Sequence, residues 1–333
     1  MAIPRRQKIP VVRFDKVSEL GIPADYSITR EGTSQSLLGS WLSCQQKFVI
    51  AVNRLQAARN NGNTNFGTIF HEFLDRTYSM YRDTGKVAGV REIKLFSTAF
   101  QEKGEAGGEF SGMDEELVEK NFHMSEIVLS QYIKFWKNDF TDYKFHEIEK
   151  VFDVPFHDKY RLRGKRDGML IAKDKTLWLF EHKTKSRVME DAIKAMLPMD
   201  FQSLFYGTAF TAETGRRISG VQYNIIRNSQ IKPKKGESLK LLGNRLTSEI
   251  VKDPSHFFKR YPQAYTAGDF TRFSANLLKI LEQIESFEKS GSAPIQNYTQ
   301  CQGQFTCNHL AACTADKLSF YKQKPVLFTE LEE

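Results

Sequence analysis

Asp167, Glu181 and Lys183 are the residues whose types and spacing best suit chemistry. Asp167 lies in the run GKRDG, and Glu181 and Lys183 flank His182 in TLWLFEHKTKS. The second stretch is apolar on both faces from Leu177 to Phe180 and then abruptly charged, an odd end for a strand that reads as buried. In an extended chain Glu181 and Lys183 share one face and His182 takes the other. If the two segments pair as a hairpin, Asp167 and Glu181 meet at one edge of a sheet. Two carboxylates and an amine together suit a hard divalent cation, Mg²⁺ or Mn²⁺, with the lysine steering or deprotonating a water. Standing alone, the same three residues also describe a surface salt-bridge group.

The elements that must position them follow from periodicity. Residues 1–30, with Pro4, Pro10 and Pro23, read as an extended leader. Helical spacing runs from Ser34 to about Asn53 and from Asn65 to Tyr81, where Phe66, Phe70, Phe73, Leu74 and Thr77 make one face. A longer helix is expected from Glu115 to about Asp139. The period then changes: HEIEKVFDVPF, YRLRGKRDGMLIA and TLWLFEHKTK read as three consecutive strands. FQSLFYGTAFTAETG follows as a helix and GVQYNIIRN as a fourth strand, then a basic excursion over 231–246 and a helix around Asp269 to Ser290. The expected class is α/β, in one structural unit. A leader (1–30) precedes a helical region with Cys44 and His71 (31–140), a strand-rich core (141–230) and a basic, helical C-terminal region (231–333).

The 333 residues are 40% hydrophobic and 26% charged, a globular balance, and 48 Lys+Arg against 40 Asp+Glu leave a net charge of +8. That excess fits a polyanionic partner without requiring one. The start, MAIPRRQKIPVVRFD, has no apolar stretch of a secretory signal, and no uncharged run approaches the roughly 18 residues of a membrane span. A soluble, intracellular protein is expected. No G-x-x-x-x-G-K-[ST] loop occurs, which excludes a helicase motor in this chain. The four cysteines are Cys44, Cys301, Cys307 and Cys313, the last three in CQGQFTCNHLAAC. In a reducing compartment a metal or redox role is favoured over disulfides. Four thiolates hold a [4Fe–4S] cluster or a structural zinc, and His309 can replace one cysteine if the metal is zinc. The plain alternative is three ordinary loop cysteines and one buried one.

Taken in order, G-x-x-D (Gly164 to Asp167), E-x-K (Glu181 to Lys183) and Q-x-x-x-Y (Gln202 to Tyr206) resemble the PD-(D/E)XK nuclease superfamily. The chain is most similar to its branch of RecB-like, Cas4-like and phage-encoded exonucleases. That branch has an upstream helical histidine in a G-x-x-[FH]-H setting, supplied here by GTIFHEFLD with His71. The resemblance implies a restriction-endonuclease-like core of helix, three strands, helix and strand. It also implies metal ligation by His71, Asp167, Glu181 and the main-chain carbonyl of His182, with Lys183 activating the attacking water. Gln202 and Tyr206, one helical turn apart, would help position catalytic residues or DNA; read alone, they are a cap-region polar residue and a core aromatic. Arg166-Asp167 stands where the superfamily's name has Pro-Asp, and His182 stands where an apolar residue is more usual. His182 reads as a DNA contact or as a half-exposed residue. Cas4-like and AddB-like members take one cysteine from before the nuclease core and three from after it, as here, so the resemblance favours a [4Fe–4S] cluster closing the helical terminal regions. The first spacing, C-x₅-C, is longer than the C-x₂-C of some members.

Arg161, Arg163, Lys165 and Arg166 surround Asp167, and Lys185 and Arg187 follow Lys183; Arg216, Arg217, Lys232, Lys234 and Lys235 add charge later. Arg163, Lys165, Arg166 and Lys185 are the expected DNA contacts, neutralising phosphates without sequence preference. The expected activity is metal-dependent exonucleolytic hydrolysis of single- or double-stranded DNA, leaving 5′-phosphate and 3′-hydroxyl ends, in bacterial or phage replication, recombination or repair. A cytoplasmic setting and a recombination or replication protein as partner go with it. Two other readings stand: a structure-specific endonuclease of the same fold, and a DNA-binding recombination or adaptation factor with a vestigial core. The intact set His71, Asp167, Glu181 and Lys183 weighs against the last.

Overall fold

The computed structural model describes residues 15–57, 63–107, 110, 114–302 and 306–328, apart from the side chains of 63–65 and 106–107. The chain divides into two compact units, Met1–Arg59 with Leu281–Glu332, and Asn60–Ile280.

In the first unit, Ser34 accepts from the Leu37 amide at 3.3 Å and caps helix α1 (Gln35–Ser43); α2 follows at Gln45–Val52. The single helix expected from Ser34 to Asn53 is thus two. Cys44 between them is extended (φ −169°, ψ 120°), which no α-helix tolerates. Residues 15–30, expected as an extended leader, include a 3₁₀ turn at Val17–Glu19 and bury Val17, Leu20, Tyr26 and Ile28. Their backbone is held by side chains distant in sequence: Gln46 donates to the Val17 carbonyl (3.2 Å), and the Ile28 amide donates to Glu288 (3.0 Å). Leu55–Ala57 pairs antiparallel with Tyr321–Gln323.

The second unit is mixed α/β. Helices α3 (Asn63–Thr84), α4 (Val90–Gly107), α5 (Glu115–Phe135) and α6 (Asp139–Asp142) precede strands β1 (Tyr143–Phe156), β2 (Tyr160–Ala172) and β3 (Leu177–Lys185). Helices α7 (Glu190–Met196) and α8 (Phe201–Thr214) then lead to β4 (Gly220–Arg227), α9 (Leu239–Lys252) and β5 (Phe258–Ala264). These strands lie in sequence order: β1–β2, β2–β3 and β4–β5 are antiparallel, while β3–β4 is parallel. A parallel pair needs a crossover, and α7 and α8 supply it. Asp200 caps α8 by accepting from the Ser203 amide (2.9 Å), and Gly215, at φ 68°, ends it. The expected order of helix, three strands, helix and strand is present, with β5 added at the edge. Part of the expected basic excursion, from Leu239 onward, is helix α9.

The core of this unit is aromatic. Phe66, Phe70, Phe73 and Tyr78 of α3 pack with Phe122 and Tyr132 of α5 and with Phe145, Leu170 and Phe180 of the sheet. Burial of each such ring stabilises by roughly 1.5–3 kcal/mol. α3 packs on β1 and β3, and α8 on β1, β2 and β3. Along β3, Phe180 and His182 meet Tyr78 of α3, whereas Glu181 and Lys183 bond Gln202 of α8. Adjacent residues point to opposite faces, so the two helices cover the two sides of β3.

Candidate active site

The β2–β3 ladder ends at Met169↔Leu179. Two residues further on each strand stand Asp167 and Glu181, so the pair sits where the strands part. Asp167 enters that fork, its Oδ2 accepting from the His182 amide at 2.8 Å. Glu181 is fully buried. Its Oε1 accepts from Lys183 Nζ and from Gln202 Nε2 (2.7 Å). Gln202 Oε1 in turn accepts from Lys183 Nζ (2.9 Å), and its amide nitrogen lies 3.3 Å from the Tyr206 hydroxyl. Glu181, Lys183, Gln202 and Tyr206 therefore form one closed polar group between β3 and α8.

On the opposite side α3 brings in His71. Gly67, one turn earlier, sits so close to β3 that a Cβ there would lie 2.9 Å from Thr184 Oγ1. Only glycine allows that approach without displacement, and it seats the helix face carrying His71 over the fork. His71 Nδ1 is 3.9 Å from Asp167 Oδ2. Glu149 of β1 joins them: one ligand atom from each of His71, Glu149 and Asp167 lies within 4.8 Å of the others. Glu149 faces Asp167 between the pairs Ile148↔Gly168 and Lys150↔Arg166, and its backbone is left-handed (φ 47°). For a residue with a Cβ this costs on the order of 1–2 kcal/mol, a strain typical of functional sites.

The donor set fits a divalent cation. Oε2 of Glu181, wholly buried, has no hydrogen-bond partner among the described residues, a costly state for a carboxylate oxygen, while Oε1 already accepts from Lys183 and Gln202. Burial, then Asp167, pushes Glu181 up to about 8, against the pull of Lys183; burial and the same neighbour push Glu149 up to about 8. Burial would also raise Asp167, but His71, Lys183 and His182 together hold it below its ordinary value. Burial lowers His71 against the pull of Asp167 and so favours the neutral imidazole, the form that ligates metal. A cation bound here would displace protons from the two raised carboxyls. Burial works against the Lys183 ammonium, yet Glu181 and Asp167 prevail and raise it.

The sequence model of the PD-(D/E)XK nuclease superfamily matches residues 33–314, most of the chain. The chain belongs to the PD-(D/E)XK nuclease superfamily. The run Glu181-His182-Lys183 stands at the fork, with Asp167 across from it. Among curated proteins no match is found. Among solved structures, the crystal structure of SSO0001 aligns over 76% of this chain and 96% of its own at 11% identity; with a TM-score of 0.29 that likeness carries no argument.

His71, Asp167, Glu181, Lys183, Gln202 and Tyr206 stand around the fork, and two other residues lie elsewhere than expected. Arg166, expected to contact DNA, is fully buried. Its guanidinium bonds Glu147 (3.0 Å) and Glu213 (2.6 Å) and lies over the rings of Phe152 and Phe210. Strand alternation sets it opposite Asp167, where no phosphate reaches. His182 is neither a DNA contact nor half-exposed; it is 3% exposed, with Nδ1 2.9 Å from Asn224 Nδ2. Arg163 pairs with Asp153 (3.0 Å) and Lys165 with Glu149 (2.9 Å), both on the strand of Asp167, and Lys185 lies half-buried at the end of β3. Arg187, Arg216, Arg217, Lys232, Lys234 and Lys235 are exposed. Glu149 is the one site residue that sequence reasoning missed.

The cysteines lie in the first unit. Cys44 Sγ accepts from the Asn297 amide at 3.4 Å, and Cys301 Sγ donates to the Asn297 carbonyl at 3.7 Å. Burial, then the neighbouring Cys307, Cys44 and Cys301, pushes the Cys313 thiol up to about 11. His309 Nδ1 lies 3.2 Å from the Tyr321 hydroxyl. Among the described residues no helix is long and apolar enough to cross a membrane.

Proposed function

We propose that the chain is a metal-dependent deoxyribonuclease that degrades DNA from an end, leaving 5′-phosphate and 3′-hydroxyl products. The observation that carries this reading is the convergence of His71, Glu149 and Asp167 at the β2–β3 fork, where Glu181 Oε2 is buried without a hydrogen-bond partner among the described residues. Mg²⁺ or Mn²⁺ would be held by Asp167, Glu181, His71 and the His182 carbonyl, with Glu149 added, and supplies Lewis-acid charge at the scissile phosphate. Water attacks phosphorus and gives up one proton, the P–O3′ bond breaks, and the leaving 3′-oxygen takes up a proton from solvent in exchange, so that one water is consumed. Lys183, kept as an ammonium by Glu181 and Asp167 and aimed by Gln202, orients that water and offsets phosphate charge. Arg163, Lys165 and Lys185, on β2 and β3, would hold the DNA backbone, giving binding that weakens with salt. End-labelled linear single- and double-stranded DNA and closed circles, incubated with Mn²⁺, test the reading. Both linear forms should be degraded and circles should survive, with the degradation absent in Lys183→Ala. Circles cut as fast as linear DNA would move the assignment to a structure-specific endonuclease.

We also propose that Cys44, Cys301, Cys307 and Cys313 hold a [4Fe–4S] cluster, by the likeness of their placement to that of Cas4-like relatives and by the bonds that Cys44 and Cys301 both make to the Asn297 backbone. The cluster would tie together segments of the first unit distant in sequence. Purified, anaerobically handled protein should contain iron and sulfide, and Cys313→Ser should lose both. Zinc in place of iron would overturn the cluster and leave a structural zinc site.

A further inference from the structure

The side chain of His182 has no part in the chemistry above, yet it is the buried end of a polar row. His182, Asn224 and Arg260 are register partners on the neighbouring strands β3, β4 and β5. Asn224 Nδ2 lies 2.9 Å from His182 Nδ1 and donates to the Tyr132 hydroxyl at 2.8 Å; Asn224 Oδ1 faces Arg260 Nε at 3.4 Å. Arg260 also reaches Tyr132 (3.3 Å) and grips Asp139 with two nitrogens (2.6 and 2.8 Å). Tyr78 lies 2.8 Å from the Tyr132 hydroxyl and 3.1 Å from Asp139 Oδ2.

The proton directions in this row are fixed. Arg260 can only donate, so the Asn224 oxygen must face it and the Asn224 amide must point both hydrogens away. One meets His182 Nδ1, which therefore accepts, placing the imidazole proton on Nε2. The other meets Tyr132, whose oxygen already accepts from Arg260; its own proton goes to Tyr78, and the Tyr78 proton to the Asp139 carboxylate. The Arg260 guanidinium lies 4.0 Å from the Trp136 ring centroid and 4.9 Å from that of Phe180, so it cannot swing away. The row joins the two elements that carry the site. Tyr78 is on α3, as is His71. His182 donates its amide to Asp167, and its ring stacks on Tyr78 at 5.8 Å and 8°.

We propose that Asn224, Tyr132, Arg260, Asp139 and Tyr78 are positioning residues that fix His182, and through it the backbone at the fork, relative to His71. This rests on the nuclease reading. Such groups behind a metal site typically change metal affinity or activity by about 10–100-fold.

Full-length Tyr132→Phe and Asn224→Leu test it, with Mn²⁺ binding measured by calorimetry and cleavage of linear DNA by single-turnover kinetics. Both variants should bind Mn²⁺ about tenfold more weakly and cleave about tenfold more slowly, with the KM for DNA unchanged. Tyr132→Phe removes one oxygen and no packing, so it carries the test if Asn224→Leu does not fold. Folded variants that melt at lower temperature but match the wild type within about twofold in Mn²⁺ affinity and rate would reduce the row to a stabilising role and overturn the proposal. Wild-type protein that neither binds Mn²⁺ nor cuts DNA would instead remove the nuclease reading, and the proposal with it.

Discussion

Asp167→Asn should lower DNA cleavage by about a thousandfold while leaving the protein folded. The substitution is nearly isosteric, and the new side chain can still accept from the His182 amide through its oxygen. What it loses is charge, at the point where His71, Glu149 and the fork meet. A correctly held cation contributes several kcal/mol to a phosphoryl transition state, and each ~1.4 kcal/mol is tenfold in rate. Losing about 4 kcal/mol of that gives the expected factor. Asp167 also raises Glu181 and Glu149 electrostatically, so removing its charge should let both carboxyls ionise at lower pH. Because His71, Lys183 and His182 favour the ionised Asp167 in the fold, losing its charge should lower the melting temperature modestly without unfolding the protein, and circular dichroism would register this. Glutamine at 181 should behave similarly, although it also disturbs the bonds to Lys183 and Gln202.

Arg166→Leu should do the reverse: it should destabilise the fold and leave DNA binding intact. The arginine is fully buried and joins Glu147, which is nearly buried, and Glu213, which reaches solvent. Removing one partner of a buried ion pair costs about 3–5 kcal/mol, because it leaves a desolvated charge behind. Lys150 still contacts both carboxylates, at 3.0 and 2.9 Å, so the lower end, about 3 kcal/mol, is expected. For a unit of this size that is a melting-temperature drop on the order of 10 °C. The salt slope of DNA binding should not change, whereas loss of a phosphate contact would reduce it by about one. A variant that melts like wild type but binds DNA more weakly would place Arg166 on the DNA-facing side after all.

The parts of the site that could be read from sequence were those tied to regular periodicity. TLWLFEHKTKS announces a buried strand with a charged end, and Gly67 with His71 sits on an uninterrupted helical pattern. Glu149 was hidden because HEIEK shows two glutamates on one nominal strand face. The ladder shifts register between Phe145 and Glu147, and Glu149 itself takes a left-handed backbone, so alternation cannot say which acid turns to Asp167. Arg166 was misjudged although alternation carried the signal: in GKRDG it points opposite Asp167. Strand β5 was missed because FKRYPQA contains Pro262, which argues against a strand; it is tolerated since β5 lies at the sheet edge. The break at Cys44 has no signature in the surrounding helical pattern.

The most direct test of the central claim is single-turnover cleavage of end-labelled linear DNA by wild type and Asp167→Asn, each with Mn²⁺ and with a chelator. Cleavage confined to the wild type with Mn²⁺ is the predicted result. Wild-type protein inert with both Mn²⁺ and Mg²⁺, or Asp167→Asn as fast as wild type, would contradict a metal-dependent nuclease centre at the β2–β3 fork.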